Sequence, residues 1–122
     1  MIMLPKLEGY VIYNPANGLF SGGGMNCGSW SNWRKNPKIW KKIGHLKSHL
    51  NQFVYEDYYS HYNITNRTRR IIIIFDSYIG CKVVDITTQQ EINLDIVKYL
   101  ENKANEIVNN HSPSEYVIEH RK

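Results

Sequence analysis

A glycine- and tryptophan-rich stretch, residues 21–35, carries the side chains of this chain that are best suited to bind a ligand. It begins Ser-Gly-Gly-Gly, contains Trp30 and Trp33, and ends in Arg34 and Lys35. An exposed indole ring stacks on a nucleobase, and a neighbouring cation holds the attached phosphate. The stretch therefore predicts a site for an anionic, ring-bearing ligand. The alternative is that the tryptophans pack inward and pin the loop over the sheet.

Basic side chains continue into the next segment, which is predicted to be helical. Asn36 suits the N-cap of a helix, and Pro37 suits the first helical position, where its missing N–H costs nothing. Cations and histidines would then line the polar face near the helix N-terminus, a place that favours anions. The predicted ligand-binding residues are Trp30, Trp33, Arg34, Lys35, Lys38, Lys42 and His45.

A second basic cluster, Arg67, Arg69 and Arg70, comes directly before an isoleucine-rich run. Charges in this position keep an aggregation-prone strand soluble. Guanidinium groups also form planar forks that bind phosphate or carboxylate. The two interpretations are compatible, and the cluster is predicted as a secondary basic site.

No motif predicts a catalytic residue, a metal site or a cofactor. Residues 21–24 resemble the start of a phosphate loop but lack its Gly-Lys-Ser/Thr ending. His45 and His49 have metal-ligand spacing, yet lysines flank them and no Glu follows the first, so the pair is predicted to lie on the solvated basic face. Cys27 lies near cations that would activate a thiol, but no base is identifiable for it, so an inert thiol is favoured.

The first half of the chain predicts a hairpin followed by a helix. Residues 10–13 are β-branched and aromatic, and the Asn-Gly pair after them favours a turn that returns through Leu19 and Phe20. A helix beginning at Pro37 is indicated by apolar residues that recur at helical spacing. These residues are Ile39, Ile43, Leu46, Leu50, Phe53 and Val54.

The second half predicts the same order of elements. Residues 71–75 are apolar at every position, which is typical of a central strand, and residues 81–86 give the return strand. Residues 88–91 read Thr-Gln-Gln-Glu, a capping box that predicts a second helix from about Gln89 to Asn109. The tail after Ser114 is left open between an edge strand and a frayed end. The fold class is therefore α+β in the order ββαββα, an antiparallel sheet with both helices on one face.

Composition bounds the class of protein. The 122 residues, 42% of them hydrophobic, suit one domain spanning residues 1–122. The net charge of +4 favours acidic partners without requiring them. Two cysteines without CxxC spacing, no secretory signal and no apolar run long enough to span a bilayer predict a cytoplasmic protein without a membrane partner.

Three segments resemble small accessory or early proteins of T-even-like tailed bacteriophages. These segments are residues 10–15 (Tyr-Val-Ile-Tyr-Asn-Pro), 18–23 (Gly-Leu-Phe-Ser-Gly-Gly) and 38–50, the lysine-rich helix. The resemblance covers about the first half of the chain. It consists of a shared order of features: a hairpin, a Gly/Trp loop and a lysine-rich helix. It implies a dispensable early protein that acts in the cytoplasm of an infected bacterium against a host defence. Such proteins commonly bind a nucleotide signal or block a host protein.

The leading functional hypothesis is a non-enzymatic binding protein that captures a phosphate-bearing nucleotide or a short nucleic acid. One alternative is an inhibitor that binds a host protein through exposed tyrosines and tryptophans, including residues 55–62. Another is a small hydrolase or nuclease. A homo-oligomer is a further possibility, because small captors often place their sites between subunits.

Overall fold

Two sheets and two helices make up the part of the chain that the computed structural model describes, residues 8–24, 33–57, 70–109 and 116–121. The fold is α+β, as predicted. The elements are β1 (Tyr10–Asn14), β2 (Leu19–Ser21), β3 (Trp33–Arg34), α1 (Ile43–Asn51), β4 (Val54–Asp57), β5 (Arg70–Phe75), β6 (Lys82–Asp85), β7 (Gln90–Glu91), α2 (Ile96–Asn109) and β8 (Tyr116–Arg121).

The first sheet has five antiparallel strands in the order β3-β2-β1-β6-β7. The predicted β1–β2 hairpin is confirmed, with Tyr13 opposite Phe20. Its turn is held by asparagine side chains: Asn14 Oδ1 accepts the N–H of Ala16 at 3.0 Å. Short polar side chains that bond nearby backbone groups are the usual stabilisers of such turns.

The second sheet has three strands in the order β4-β5-β8. The central-strand prediction is confirmed, because β5 pairs on both edges and residues 71–74 are at most 2% exposed. The predicted return strand is wrong: β6 pairs with β1 of the other sheet. Both edges of β5 are already occupied, by β4 and by the parallel strand β8, so the turn after β5 carries the chain from one sheet to the other. The tail forms an edge strand.

The first helix begins six residues later than predicted, at Ile43 instead of Pro37. The preceding residues are extended and bond to the first sheet. Trp40 and Tyr10 exchange two backbone hydrogen bonds of 2.8 and 3.0 Å, and the N–H of Lys38 donates to the carbonyl of Ser21 at 3.0 Å. These partners outweigh the helical spacing of the apolar residues. The helix also ends early, because Val54 belongs to β4.

The second helix begins at Ile96, so the predicted start at Gln89 is wrong, and it continues to Asn109, the last residue of this described range. The supposed capping box lies in a turn and in β7, which pairs with β6. The helix is capped by Asp95 instead. Its side chain accepts the N–H of Lys98 at 3.1 Å, and its carbonyl accepts the N–H of Tyr99 at 2.9 Å.

The main core takes side chains from both sheets and both helices. Helix α1 buries Leu46, His49 and Leu50, and α2 buries residues spaced four apart, Ile96, Leu100 and Ala104. The helices contact each other, and α2 lies against β4 and β5. The predicted amphipathic character of both helices is therefore real, although their starting points differ.

Candidate functional site

A buried hydrogen-bond chain lies at the end of β2, where the glycine-rich stretch begins. Tyr78 Oη lies 2.6 Å from Ser21 Oγ and 2.7 Å from His49 Nε2. Ser21 Oγ in turn accepts the backbone N–H of Gly23 at 3.1 Å. Because all three side chains are buried, these bonds fix the end of β2 to the turn after β5 and to helix α1. Ser21 is fully buried and therefore cannot attack a substrate in solvent.

Aromatic rings enclose this hydrogen-bond chain. The Phe53 ring stacks on Tyr78 with centroids 4.8 Å apart, and Trp40 lies 5.0 Å from the ring of His49. Trp33 meets Tyr78 edge-on at 5.9 Å. Trp33 is half-buried, so one part of the indole packs on the core and another part reaches the surface. The packing interpretation of this tryptophan holds for the buried part of the ring, and the ligand-stacking interpretation stays a prediction.

His49 was predicted on the solvated basic face, and this prediction is wrong. It is only 7% exposed, because it shares the core-facing side of α1 with Leu46, three residues before it, and with Leu50, the next residue. Burial, and secondarily the positive charge of Lys38, lower its pKa from 6.5 to about 4. His45, four residues earlier, is exposed. The two histidines therefore do not share a site.

The buried imidazole makes the stability of the fold depend on pH. Below pH 6.5 the unfolded chain binds a proton at His49, while the folded chain resists protonation down to about pH 4. We expect the free energy of unfolding to fall by about 3 kcal/mol between these two pH values. Urea denaturation across this range measures the loss. A His49→Gln variant, which keeps a partner for Tyr78 but does not titrate, should show a smaller loss, and an equal loss in both proteins would contradict the assignment.

An acid-free basic segment, residues 34–47, begins at the end of the glycine- and tryptophan-rich stretch. Residues 9–55 contain six Lys and Arg side chains and neither Asp nor Glu. Five of the six are exposed and Lys47 is half-buried. Within the described ranges none of them forms an ion pair. The six cations are Arg34, Lys35, Lys38, Lys41, Lys42 and Lys47. This run without acids is visible in the sequence, although it belongs to no motif, and it extends the predicted basic site to Lys41 and Lys47.

Ser21 brings two of the predicted site residues together. It lies opposite Trp33 in the β2–β3 pair, and its carbonyl accepts the N–H of Lys38. The Lys38 stem lies against Gly23, where a Cβ would come within 2.7 Å of its Cγ. Gly23 also has a φ of +81°, which favours glycine. Arg34 follows Trp33 at the same edge of the sheet and is exposed.

The start of helix α1 forms the second part of the basic segment. Lys42 occupies the N-cap without a side-chain hydrogen bond to the first turn, and no acidic residue lies in that turn. Lys41, Lys42 and His45 are exposed, and the space where a Cβ of Gly44 would lie is open. A helix N-terminus carries partial positive charge, so these cations add to a local field that already favours anions.

Several predicted residues lie outside the described ranges: Cys27, Trp30, Arg67, Arg69 and most of the tyrosine-rich segment. Arg70 opens β5. Cys81 is half-buried, and burial raises the pKa of its thiol to about 12, so it stays protonated at neutral pH. In the described part of the chain, no three His, Cys, Asp or Glu side chains are grouped so that they would hold a metal ion.

Comparison with known proteins gives no relative: no protein family, no curated protein and no solved structure matches the chain. The resemblance to phage accessory proteins therefore stays a prediction. Among the described residues, neither helix has the length and apolar character needed to cross a membrane.

Proposed function

We propose that this protein binds a phosphate-bearing nucleotide or a short nucleic acid on the basic segment, residues 34–47. The observation that carries the proposal is the concentration of six cations in a run of 47 residues without a single acid, none of them in an ion pair within the described ranges. Elsewhere in the described chain cations do pair with acids, as Lys82 does with Glu91. Unpaired like charges raise the local potential, and a polyanion relieves it.

The surroundings of these cations favour phosphate as the anionic group. Arg34 offers a planar guanidinium fork, which suits phosphate oxygens. The N-terminus of α1 has an open surface at Gly44 and no side chain that occupies it as a cap. The half-buried indole of Trp33 lies next to Arg34 and gives a ring of the ligand an apolar contact.

The proposed activity is binding without a chemical step. The buried Ser21 and the protonated thiol of Cys81 are poor nucleophiles, since one lacks solvent access and the other lacks charge. The phage resemblance implies that such a captor would sequester a nucleotide signal inside an infected bacterium, and this role is part of the proposal.

Fluorescence anisotropy of a labelled single-stranded oligonucleotide tests the proposal, with unlabelled mononucleotides as competitors. We expect binding at low salt that weakens steadily as salt is added, because bound phosphates release counterions. The ligand should be recovered intact after heat release. Cleaved ligand would favour the hydrolase alternative. No binding of any nucleotide or oligonucleotide at low salt would refute the proposal.

A further inference from the structure

The two faces of the first sheet separate Trp33 from Arg34, although these residues are neighbours in the sequence. Successive side chains of a strand point to opposite faces, and cross-strand partners share a face. Trp33 lies opposite Ser21, and Arg34 lies opposite Phe20. Ser21 bonds to Tyr78 in the main core, and Trp33 packs against the same core. Phe20 instead belongs to a second, smaller core cluster, so Arg34 lies on the other face of the sheet.

Lys38 lies on the same face as Trp33. Its stem lies against Gly23, whose N–H donates to Ser21 Oγ at 3.1 Å. Burial and, secondarily, the charge of Lys38 lower the pKa of His49, which is bonded to Tyr78 at the other end of the buried hydrogen-bond chain. The ammonium group of Lys38 therefore acts from the side of the sheet on which the main core lies.

The indole of Trp33 and the ammonium of Lys38 thus flank Ser21 on one face of the first sheet. Strand β3 is the end strand of that sheet, and part of the indole reaches the surface there, while Lys38 is exposed. We propose that the ring of one nucleotide stacks on the exposed part of Trp33 and that its phosphate binds Lys38, with Arg34 outside this contact. The proposal rests on the proposed function and assigns the base and the phosphate to two side chains. Arg34 adds only to the general attraction for anions.

A cavity of about 700 Å³ near the start of α2 is a poor alternative site for a phosphate. Residues 91–97 form much of its wall. Among the described residues that line it, Lys82 is paired with Glu91 at 3.1 Å, and Asp95 adds a second carboxylate. Because carboxylates repel phosphate, we expect the nucleotide at Trp33 and Lys38 and not in the cavity.

Competition of ADP and inorganic pyrophosphate for the labelled oligonucleotide tests the ring contact. The two competitors share a diphosphate and differ by the nucleoside. We expect the wild-type protein to bind ADP at least about fivefold more tightly than pyrophosphate, because stacking adds to the affinity. Trp33→Leu should remove most of this preference and leave pyrophosphate binding in place. Circular dichroism confirms that the variant is folded.

Lys38→Gln and Arg34→Gln form a matched pair that tests the phosphate contact. Both residues are exposed, and each change removes one positive charge. Lys38→Gln should weaken ADP binding at least about fivefold more than Arg34→Gln does, because only Lys38 bonds to the phosphate.

Three results would overturn the assignment and leave nucleic-acid binding itself intact. The first is an equal or larger loss in Arg34→Gln than in Lys38→Gln. The second is equal affinity of the wild-type protein for ADP and pyrophosphate, and the third is an oligonucleotide that binds but that ADP does not displace. A wild-type protein that binds neither the oligonucleotide nor ADP would instead refute the proposed function.

Discussion

Replacing Tyr78 with alanine is expected to lower the free energy of unfolding by about 3–5 kcal/mol, the range for truncation of a large buried ring. The side chain is 1% exposed, stacks on Phe53 and meets the edge of Trp33. Domains of this size have only about 5–15 kcal/mol of stability, so the variant should lose a large share of it and unfold at a much lower temperature. Thermal and urea unfolding followed by circular dichroism measure the loss.

The phenol hydroxyl alone accounts for part of this effect. Tyr78→Phe keeps the ring but deprives Ser21 and His49 of their buried partner, which we expect to cost about 1–3 kcal/mol. Tyr99→Phe is the control, since the Tyr99 hydroxyl donates to Asn51 at an exposed position, where water replaces the lost bond. If the two Phe variants were equally stable, the buried chain would not have the structural role assigned to it.

Neutralising the basic segment is expected to have the largest effect on binding. The triple variant Lys38→Gln, Lys41→Gln, Lys42→Gln should weaken oligonucleotide binding at least about tenfold at low salt. The slope of log affinity against log salt should become shallower by about 2, if each lysine contacts one phosphate of a single strand. Anisotropy titrations at several salt concentrations give both quantities.

The matched control removes three lysines elsewhere on the described surface, by replacing Lys82, Lys98 and Lys103 with Gln. Both triple variants lower the net charge of +4 by the same amount. They therefore separate the position of the charges from their number. Equal losses of affinity in the two variants would show that binding responds to overall charge only, against a site on the basic segment.

The fold could be predicted where local signals and pairing agree. The β1–β2 hairpin follows from its turn residues, and the apolar run of β5 follows from burial on both faces. Local signals predicted the wrong structure for the residues directly before each helix. Residues 38–40 have helical spacing but bond to Ser21 and Tyr10, and Gln90 and Glu91 pair with β6 instead of entering a helix. Periodicity and capping patterns are local, so they do not report a partner strand that is distant in sequence.

The same limit applies to the candidate site: its exposed cations could be predicted from the sequence, and its buried hydrogen-bond chain could not. Exposed cations at Arg34, Lys38 and Lys42 could be predicted, because charge runs stay in solvent whichever element carries them. The buried chain could not, because Tyr78 meets Ser21 across 57 residues and His49 across 29.

Mapping of the bound ligand by NMR tests the central claim most directly. A ¹H–¹⁵N correlation spectrum of the labelled protein is recorded while a short single-stranded oligonucleotide is added at low salt. We predict that the amide shifts change at Trp33, Arg34 and Lys38 and from Lys42 to His45, while those of residues 92–97 at the cavity stay in place. Shifts centred on residues 92–97, or no shifts at all, would contradict binding on the basic segment.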